Sequence, residues 1–358
     1  MLTIIIFIII LGLLVFVHEL GHFLVAKKNG VRVEEFGFGF PPRIFGIKRK
    51  ETIYSINAIP LGGFVRILGE DGQDKDDPHS FSAKKIWQRM TILIAGVLMN
   101  IILAIILLSL GNFIGLPTAV DDSENIAGAK VQITQVLGLS PAEISGLKAG
   151  DIIVKMAGLS GELVNITKVF QVQDFTSANQ GKMINLVVER GKELIPIAIT
   201  PRANPPAEEG AMGVGLARIV DISYPWYRAI YEGFISAFGL TWLIIKAIGA
   251  LLWQLVSQGN VVEGIAGPVG IYNLTGQAAK MGFIYLLQLT VLLSINLAII
   301  NAFPFPALDG GRILFLLIEK IKGSPVSQRV EKAIHSAGFV FLIIVMLLVT
   351  IRDVIKLF

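Results

Sequence analysis

The chain contains no cysteine, which excludes disulfides, thiolate metal ligands and a cysteine nucleophile together. Charge is scarce as well: Asp, Glu, Lys and Arg make up 16% of 358 residues, against about a quarter in ordinary soluble domains. With 53% hydrophobic residues, the composition is that of a chain embedded in a lipid bilayer. The basic excess is small, 31 Lys and Arg against 27 Asp and Glu. A basic stripe with interleaved aromatics is missing, so nucleic acid is excluded as a partner. Histidine is rarer still, four in all, and two of these fall within five residues. Any metal must be held by His, Asp or Glu.

Residues 2–26 are apolar except for His18, Glu19 and His22, too long a run for a secretory signal, and read as a first transmembrane helix. Lys27 and Lys28 follow it, a cytoplasmic flank by the positive-inside rule, so the N-terminus is expected outside. Residues 31–70 alternate around glycine and proline clusters and read as short strands and turns. A second span, 91–110, runs from Lys84, Lys85 and Arg89 towards Asp121, Asp122 and Glu124, inside to outside. From about 127 to 203 the composition turns soluble and β-rich, and a Pro/Ala/Glu linker follows.

The segment 226–256 is apolar but interrupted by Arg228, Glu232 and Lys246. The span 283–302 ends in Asn301-Ala302-Phe303-Pro304-Phe305-Pro306-Ala307-Leu308-Asp309-Gly310-Gly311, and a last span covers 337–351. Because 226–256 would invert the next span if it crossed, it is expected to lie along the outer leaflet with its charges at the headgroups, leaving four spans and both termini outside.

His18-Glu19-Leu20-Gly21-His22 is H-E-x-x-H, and on a helix the i, i+4 spacing sets both imidazoles on one face where they can share a zinc ion. Glu19, one residue round, can take a proton from a water whose pKa the metal lowers towards ~7. The ordinary alternative, an accidental match, is costly here, since three ionisable groups in one apolar helix are rare unless they serve an ion, a proton path or each other. A catalytic zinc needs a third protein ligand and an open position. Glu34 and Glu35 are near in sequence but sit in a glycine- and proline-rich segment with no helix to aim them. Asp309, just past an apolar span and two prolines, is the better candidate, although an N-cap role for the helix after it would also explain a carboxylate there. Asn296 and Asn301 either hydrogen-bond a neighbouring helix or hold a substrate backbone or developing oxyanion near the zinc. His79 and His335 are expected to be solvated or interfacial.

These motifs, with Gly37-Phe38-Gly39-Phe40-Pro41-Pro42, Pro60-Leu61-Gly62-Gly63-Phe64-Val65 and a β-domain between spans, resemble the site-2 protease family of intramembrane zinc metalloproteases, and within it the bacterial sigma-E-regulating branch. In that branch the inserted domain is a PDZ, whose signature Ser145-Gly146-Leu147-Lys148-Ala149-Gly150-Asp151 resembles. The resemblance implies zinc held by His18, His22 and Asp309, and Glu19 as general base. It also implies a re-entrant β-structure that pairs with an unwound substrate, and Asn296 and Asn301 beside that substrate.

The expected fold is therefore a polytopic α-helical membrane protein of four transmembrane helices, with a membrane-associated β-region and one inserted PDZ domain. Its expected divisions are a first helix (1–27), a cytoplasmic-side loop with re-entrant β-structure (28–89), a second helix (90–112) and the PDZ domain (127–203). A linker with an interfacial helix (204–280), a third helix (281–303), the Leu-Asp-Gly motif with a cytoplasmic segment (304–335) and a fourth helix (336–356) complete it. The expected function is cleavage of single-span membrane proteins, of the anti-sigma factor or remnant signal peptide type, in the bacterial cytoplasmic membrane, with the PDZ outside and the active site towards the cytoplasm. A membrane-tethered PDZ adaptor with a vestigial metal site is the alternative, and the intact His18, Glu19, His22 and Asp309 argue against it. An ion transporter would distribute acidic residues over several spans, which this chain does not.

Overall fold

The computed structural model of the chain describes residues 2–158, 161–191, 193–206, 209–258 and 266–355. Helix α1 (Leu2–Lys28) leads into a hairpin of β1 (Val33–Arg49) and β2 (Thr52–Ile67), and α2 (Ile86–Ile114) follows. Then come β3 (Leu116–Ala119), β4 (Lys130–Val136), α3 (Pro141–Ile144), β5 (Ile152–Ala157), β6 (Leu163–Asn165), α4 (Val169–Ala178), β7 (Ile184–Arg190), β8 (Glu193–Ile199) and β9 (Val214–Ile222). The chain closes with α5 (Trp226–Gln258), α6 (Pro268–Met281), α7 (Phe283–Ala302), α8 (Asp309–Lys322) and α9 (Gln328–Ile355). Five of the helices, α1, α2, α5, α7 and α9, are long and apolar enough to cross a membrane by length and composition.

Two compact units share these elements, the first comprising residues 1–110, 230–276 and 286–358, the second 111–229 and 277–285. In the first unit α1 and α7 carry apolar residues on all sides, as helices surrounded by lipid and other helices must. The 31–70 region is one long antiparallel hairpin, with repeated register shifts between Val33 and Phe45. It packs along α1: Phe23 stacks on Phe36 at 4.8 Å, Phe16 meets Phe36 and Phe38 at 5.3 and 6.0 Å, and Gly62 lies against Val15. Phe38 also reaches Gly12, about 9 Å along the helix from His18 at 1.5 Å per residue. Beyond that seam the hairpin exposes Phe40, Ile44, Phe45 and Ile47.

The second unit is built on one antiparallel sheet in the order β3-β9-β4-β5-β7-β8, with β6 added beside β5. Ile184, Leu186 and Val188 alternate inward along β7, the period-2 pattern of a strand with one buried face. They pack with Val131, Ile133, Ile153 and Met156 against Val172 of α4. Asp151 is fully buried, yet its carboxylate accepts from Arg190 Nε at 2.7 Å, Arg190 Nη2 at 2.8 Å and the Lys148 backbone N–H at 2.9 Å, so the charge is answered on every side. That carboxylate also raises the pKa of the Arg190 guanidinium.

The expected domain boundary at 203 needs correction, because β9 lies in the supposed linker and is the direct partner of β4, while β3 lies before residue 127 and pairs with the end of β9. Strand β9 was hidden because a Pro/Ala/Glu stretch separates it in sequence from the strands it pairs with. Residues 207–208 and 259–265 of the expected linker with its interfacial helix (204–280) lie outside the described residues.

Candidate metal centre

Glycines bring α1 and α2 together. A Cβ on Gly21 would run into the Ala95 backbone, and one on Gly96 would collide with His22 Nε2 and come within 2.7 Å of His18 Cε1. Because neither glycine carries a side chain, the helices cross close enough for an α2 carbonyl to reach an α1 imidazole. His22 Nδ1 donates to the Ile92 carbonyl at 2.8 Å. That bond fixes the proton on Nδ1 and turns Nε2 inward, the arrangement commonly found around metal-bound histidines. His18 lies one turn earlier on the same face, its Nδ1 3.4 Å from the Asn100 side-chain amide. Asn100 is completely buried, and its own backbone carbonyl accepts from Ser294 on α7 at 2.8 Å.

The third member arrives from α8. Phe303, Pro304, Phe305 and Pro306 end α7, and Gly310 and Gly311 let the backbone curl tightly, since a Cβ on Gly311 would come within 2.8 Å of the Phe305 carbonyl carbon. Asp309 is the first residue of α8; the N-cap is Leu308, without a side-chain capping bond. The capping role allowed for Asp309 is therefore not the one it takes. Its Oδ2 instead lies 3.1 Å from His18 Nε2 and 3.2 Å from His22 Nε2, and the two Nε2 atoms are 3.2 Å apart. Among the described residues this trio is the one group of three His, Cys, Asp or Glu side chains that could hold a metal.

The chemistry of that triangle fits zinc. His18 and His22 are buried, and Asp309 Oδ2 is buried with no hydrogen-bond donor. Three potential ligand atoms converging this closely, around a carboxylate oxygen that has no hydrogen-bond donor, fit a cation held between them. Tetrahedral zinc with ligand bonds of about 2.0–2.1 Å sets neighbouring ligand atoms about 3.3 Å apart, close to the observed edges. Two nitrogens and one carboxylate oxygen also leave a fourth position for water or substrate, as a catalytic site requires.

Glu19 stands outside the triangle but within electrostatic reach of His18, His22 and Asp309, the position from which a base could act on a group held there. Glu35, the rival ligand, is turned away: it accepts from Arg43 at 2.6 Å and from Ser55 Oγ at 2.7 Å. Glu34 is likewise not among the grouped ligands. Asn296 spends its amide on the Leu292 carbonyl of its own helix at 2.9 Å, and Asn301 stands one residue before the end of α7. His79 is exposed and bonds the Gly30 carbonyl at 3.2 Å. His335, expected to be solvated or interfacial, is half-buried and accepts from the Ala307 backbone N–H at 2.9 Å. Arg312, three residues after Asp309, pairs with Glu70 from the loop after the hairpin.

The sequence reading missed Asn100, Gly96 and Gly21 as parts of this centre. An amide in an otherwise apolar span was the visible signal for Asn100; glycines in a helix gave none until a second helix met them.

Three of the relatives to which the chain is similar carry informative names. A candidate zinc metalloprotease of Clostridium perfringens is 36% identical over 345 residues, 96% of this chain and 95% of the relative. The regulator of sigma-W protease RasP of Bacillus subtilis is 32% identical over 443 aligned positions, 99% of each chain. The zinc metalloprotease RasP of Bacillus licheniformis is 30% identical, again over 99% of each. The model of Peptidase family M50 matches residues 6–345, a stretch that takes in both halves of the metal triangle and the sheet between them, and the chain therefore belongs to peptidase family M50.

Proposed function

We propose that this protein is an intramembrane zinc endopeptidase that hydrolyses a peptide bond within or near the transmembrane segment of single-span membrane proteins, with its site towards the cytoplasmic face. The observation that carries the reading is the convergence of His18 Nε2, His22 Nε2 and Asp309 Oδ2 within 3.2 Å of one another, between a helix apolar enough to span and the end of another. Zinc, when bound there, supplies Lewis acidity and an acidified water. His18, His22 and Asp309 hold the ion, and Glu19 takes the proton of the attacking water and returns it to the leaving amine. Asn301 and Asn296 lie on the helix leading to Asp309, where their amides would be offered to substrate backbone once it displaces local bonds. The hairpin supports a re-entrant role, since it packs on α1 as far as Gly12 and exposes apolar side chains that only lipid or an extended substrate would cover.

The sheet domain is assigned as a PDZ module that selects substrates. Strand β3 pairs with Ile219–Ile222 of β9, and the Val120 N–H that follows it reaches the Arg218 carbonyl, so among the described residues it leaves the first residues of β9, from Val214, as an open edge. A cavity of about 340 Å³ beside it is lined by Val172 and Thr176 of α4 and by Met212, Gly213, Val214 and Leu216. An added peptide strand fits such an edge and groove. Leu116 and Ile222 are cross-strand partners, so the whole module can be excised between adjacent ends. In proteoliposomes holding a bare single-span substrate, a protein with residues 116–222 replaced by a short linker should still cut within the span, and chelation should stop it. Cleavage lost in an excised protein that keeps its zinc would contradict the division between selection and chemistry.

Helix α5 is assigned to the outer leaflet, for four spans in all. Its Gly233 abuts Ser109 near the outer end of α2. The chain after it returns to the outer end of α1, where Tyr272 meets Phe7 at 5.9 Å and Gly276 lies against Thr3. From Gln258 to Ala266 the chain can stretch under about 29 Å, too little to climb back had a helix of some 50 Å crossed upright. Single cysteines at Gly210 and Lys280, in a chain with none of its own, should both react with a membrane-impermeant maleimide added from outside. Labelling of one with protection of the other would mean that α5 crosses.

A further inference from the structure

The loop that carries Asp309 cannot satisfy its own backbone. Pro304 and Pro306 have no N–H; Phe305 donates to the Phe303 carbonyl at 2.7 Å and Leu308 to the Phe305 carbonyl at 3.2 Å. The remaining donor, Ala307, finds no carbonyl. It donates instead to His335 Nδ1 on α9 at 2.9 Å, which requires the imidazole to carry its proton at Nε2. Ala307 itself has φ +76°, a left-handed conformation that a residue with a Cβ keeps only where its surroundings impose it.

Helix α9 supplies those surroundings in register. Three residues after His335, Gly338 is so close to the loop that a Cβ there would lie 2.7 Å from the Pro306 carbonyl oxygen. Three residues further, the Phe341 ring meets Phe305 at 5.7 Å. Thus His335, Gly338 and Phe341 meet Ala307, Pro306 and Phe305 in reverse order, one contact per turn. The His335 ring is braced from the other side by Phe315 of α8 at 5.3 Å.

We propose that His335 is a positioning residue for the metal centre: by accepting the Ala307 N–H it locks the strained turn two residues before Asp309, and so holds the carboxylate on the triangle with His18 and His22. This rests on the reading of Asp309 as a zinc ligand. His335 touches neither the ion nor substrate. Its contribution is to ligand geometry, and it is expressed as zinc affinity before it is expressed as turnover.

Three substitutions separate this role from packing. His335→Phe keeps a ring against Phe315 but removes the acceptor. His335→Asn sets an amide oxygen close to the place of Nδ1, whereas His335→Gln carries its oxygen one bond further. In the full-length protein purified in detergent, competition between the protein and a zinc chelator should show affinity reduced about ten- to a hundredfold for Phe and Gln, as when other supports of metal ligands are removed, and near wild type for Asn. The melting temperature of the zinc-free protein should be alike in Asn and Gln. If Phe fails to fold, the Asn and Gln pair still decides. Wild-type affinity in the Phe and Gln variants, or equal losses in all three, overturns the proposal. Asp309→Ala, measured alongside, isolates the underlying reading: undiminished zinc affinity there would refute Asp309 as a ligand, whatever His335 does.

Discussion

Gly96→Ala should empty the metal site without altering a single ligand. In an exposed helix this change is favourable by up to about 1 kcal/mol, so propensity alone would raise stability. Here the new methyl group falls on His22 Nε2, the atom assigned to the ion, and within 2.7 Å of His18 Cε1. Neither imidazole can yield easily, since His22 is tied to the Ile92 carbonyl and both are buried. The helices must part or the rings must turn, and a displacement of several tenths of an ångström exceeds what a tetrahedral site tolerates. We expect zinc affinity to fall at least a hundredfold and cleavage to become undetectable, with helix content unchanged by circular dichroism. Gly239→Ala is the control, because that glycine has open space around its missing Cβ and should leave zinc and activity alone. A Gly96→Ala protein with wild-type zinc content would mean that the α1–α2 crossing is not what shapes the centre.

Glu19→Gln should do the reverse, keeping the ion and losing the reaction. The amide has the size of the carboxylate but cannot accept and return a proton at neutral pH. Glu19 is not part of the triangle, so no ligand bond is lost. General base catalysis contributes typically 10²–10⁴-fold, and turnover should fall by at least that range while zinc remains stoichiometric and substrate remains bound. Single-turnover cleavage of a fluorescent single-span substrate measures the first, metal analysis the second. Activity within tenfold of wild type would transfer the role of base to another group.

The parts legible in the sequence were those with local spacing or high cost. His18 and His22 declare themselves by helical periodicity, and Asp309 by the expense of a carboxylate next to a span. The sheet domain shows its strands by alternation, as at Ile184, Leu186 and Val188. What stayed hidden depends on contacts between distant segments. Strand β9 belongs to a sheet whose other members end at residue 199, and no local pattern announces a partner across a Pro-rich stretch. Gly96 matters because of an imidazole 74 positions away in the chain. The partner of His335 has no signature in the sequence, because it is a backbone N–H, which every residue but proline possesses and none advertises. Asn296, by contrast, looked eligible for the site by its place in a span, yet its amide turns back one helical turn to the Leu292 carbonyl, a local bond that needs no second helix.

The most direct test is a zinc count on four proteins purified side by side: His18→Ala, His22→Ala, Asp309→Ala and Glu19→Gln. The first three should each hold far less than one zinc per chain and cut nothing, while the fourth holds one and cuts nothing. Stoichiometric zinc in Asp309→Ala, with peptidase activity retained, would contradict the three-ligand centre and return the search for its third member to Glu34 and Glu35.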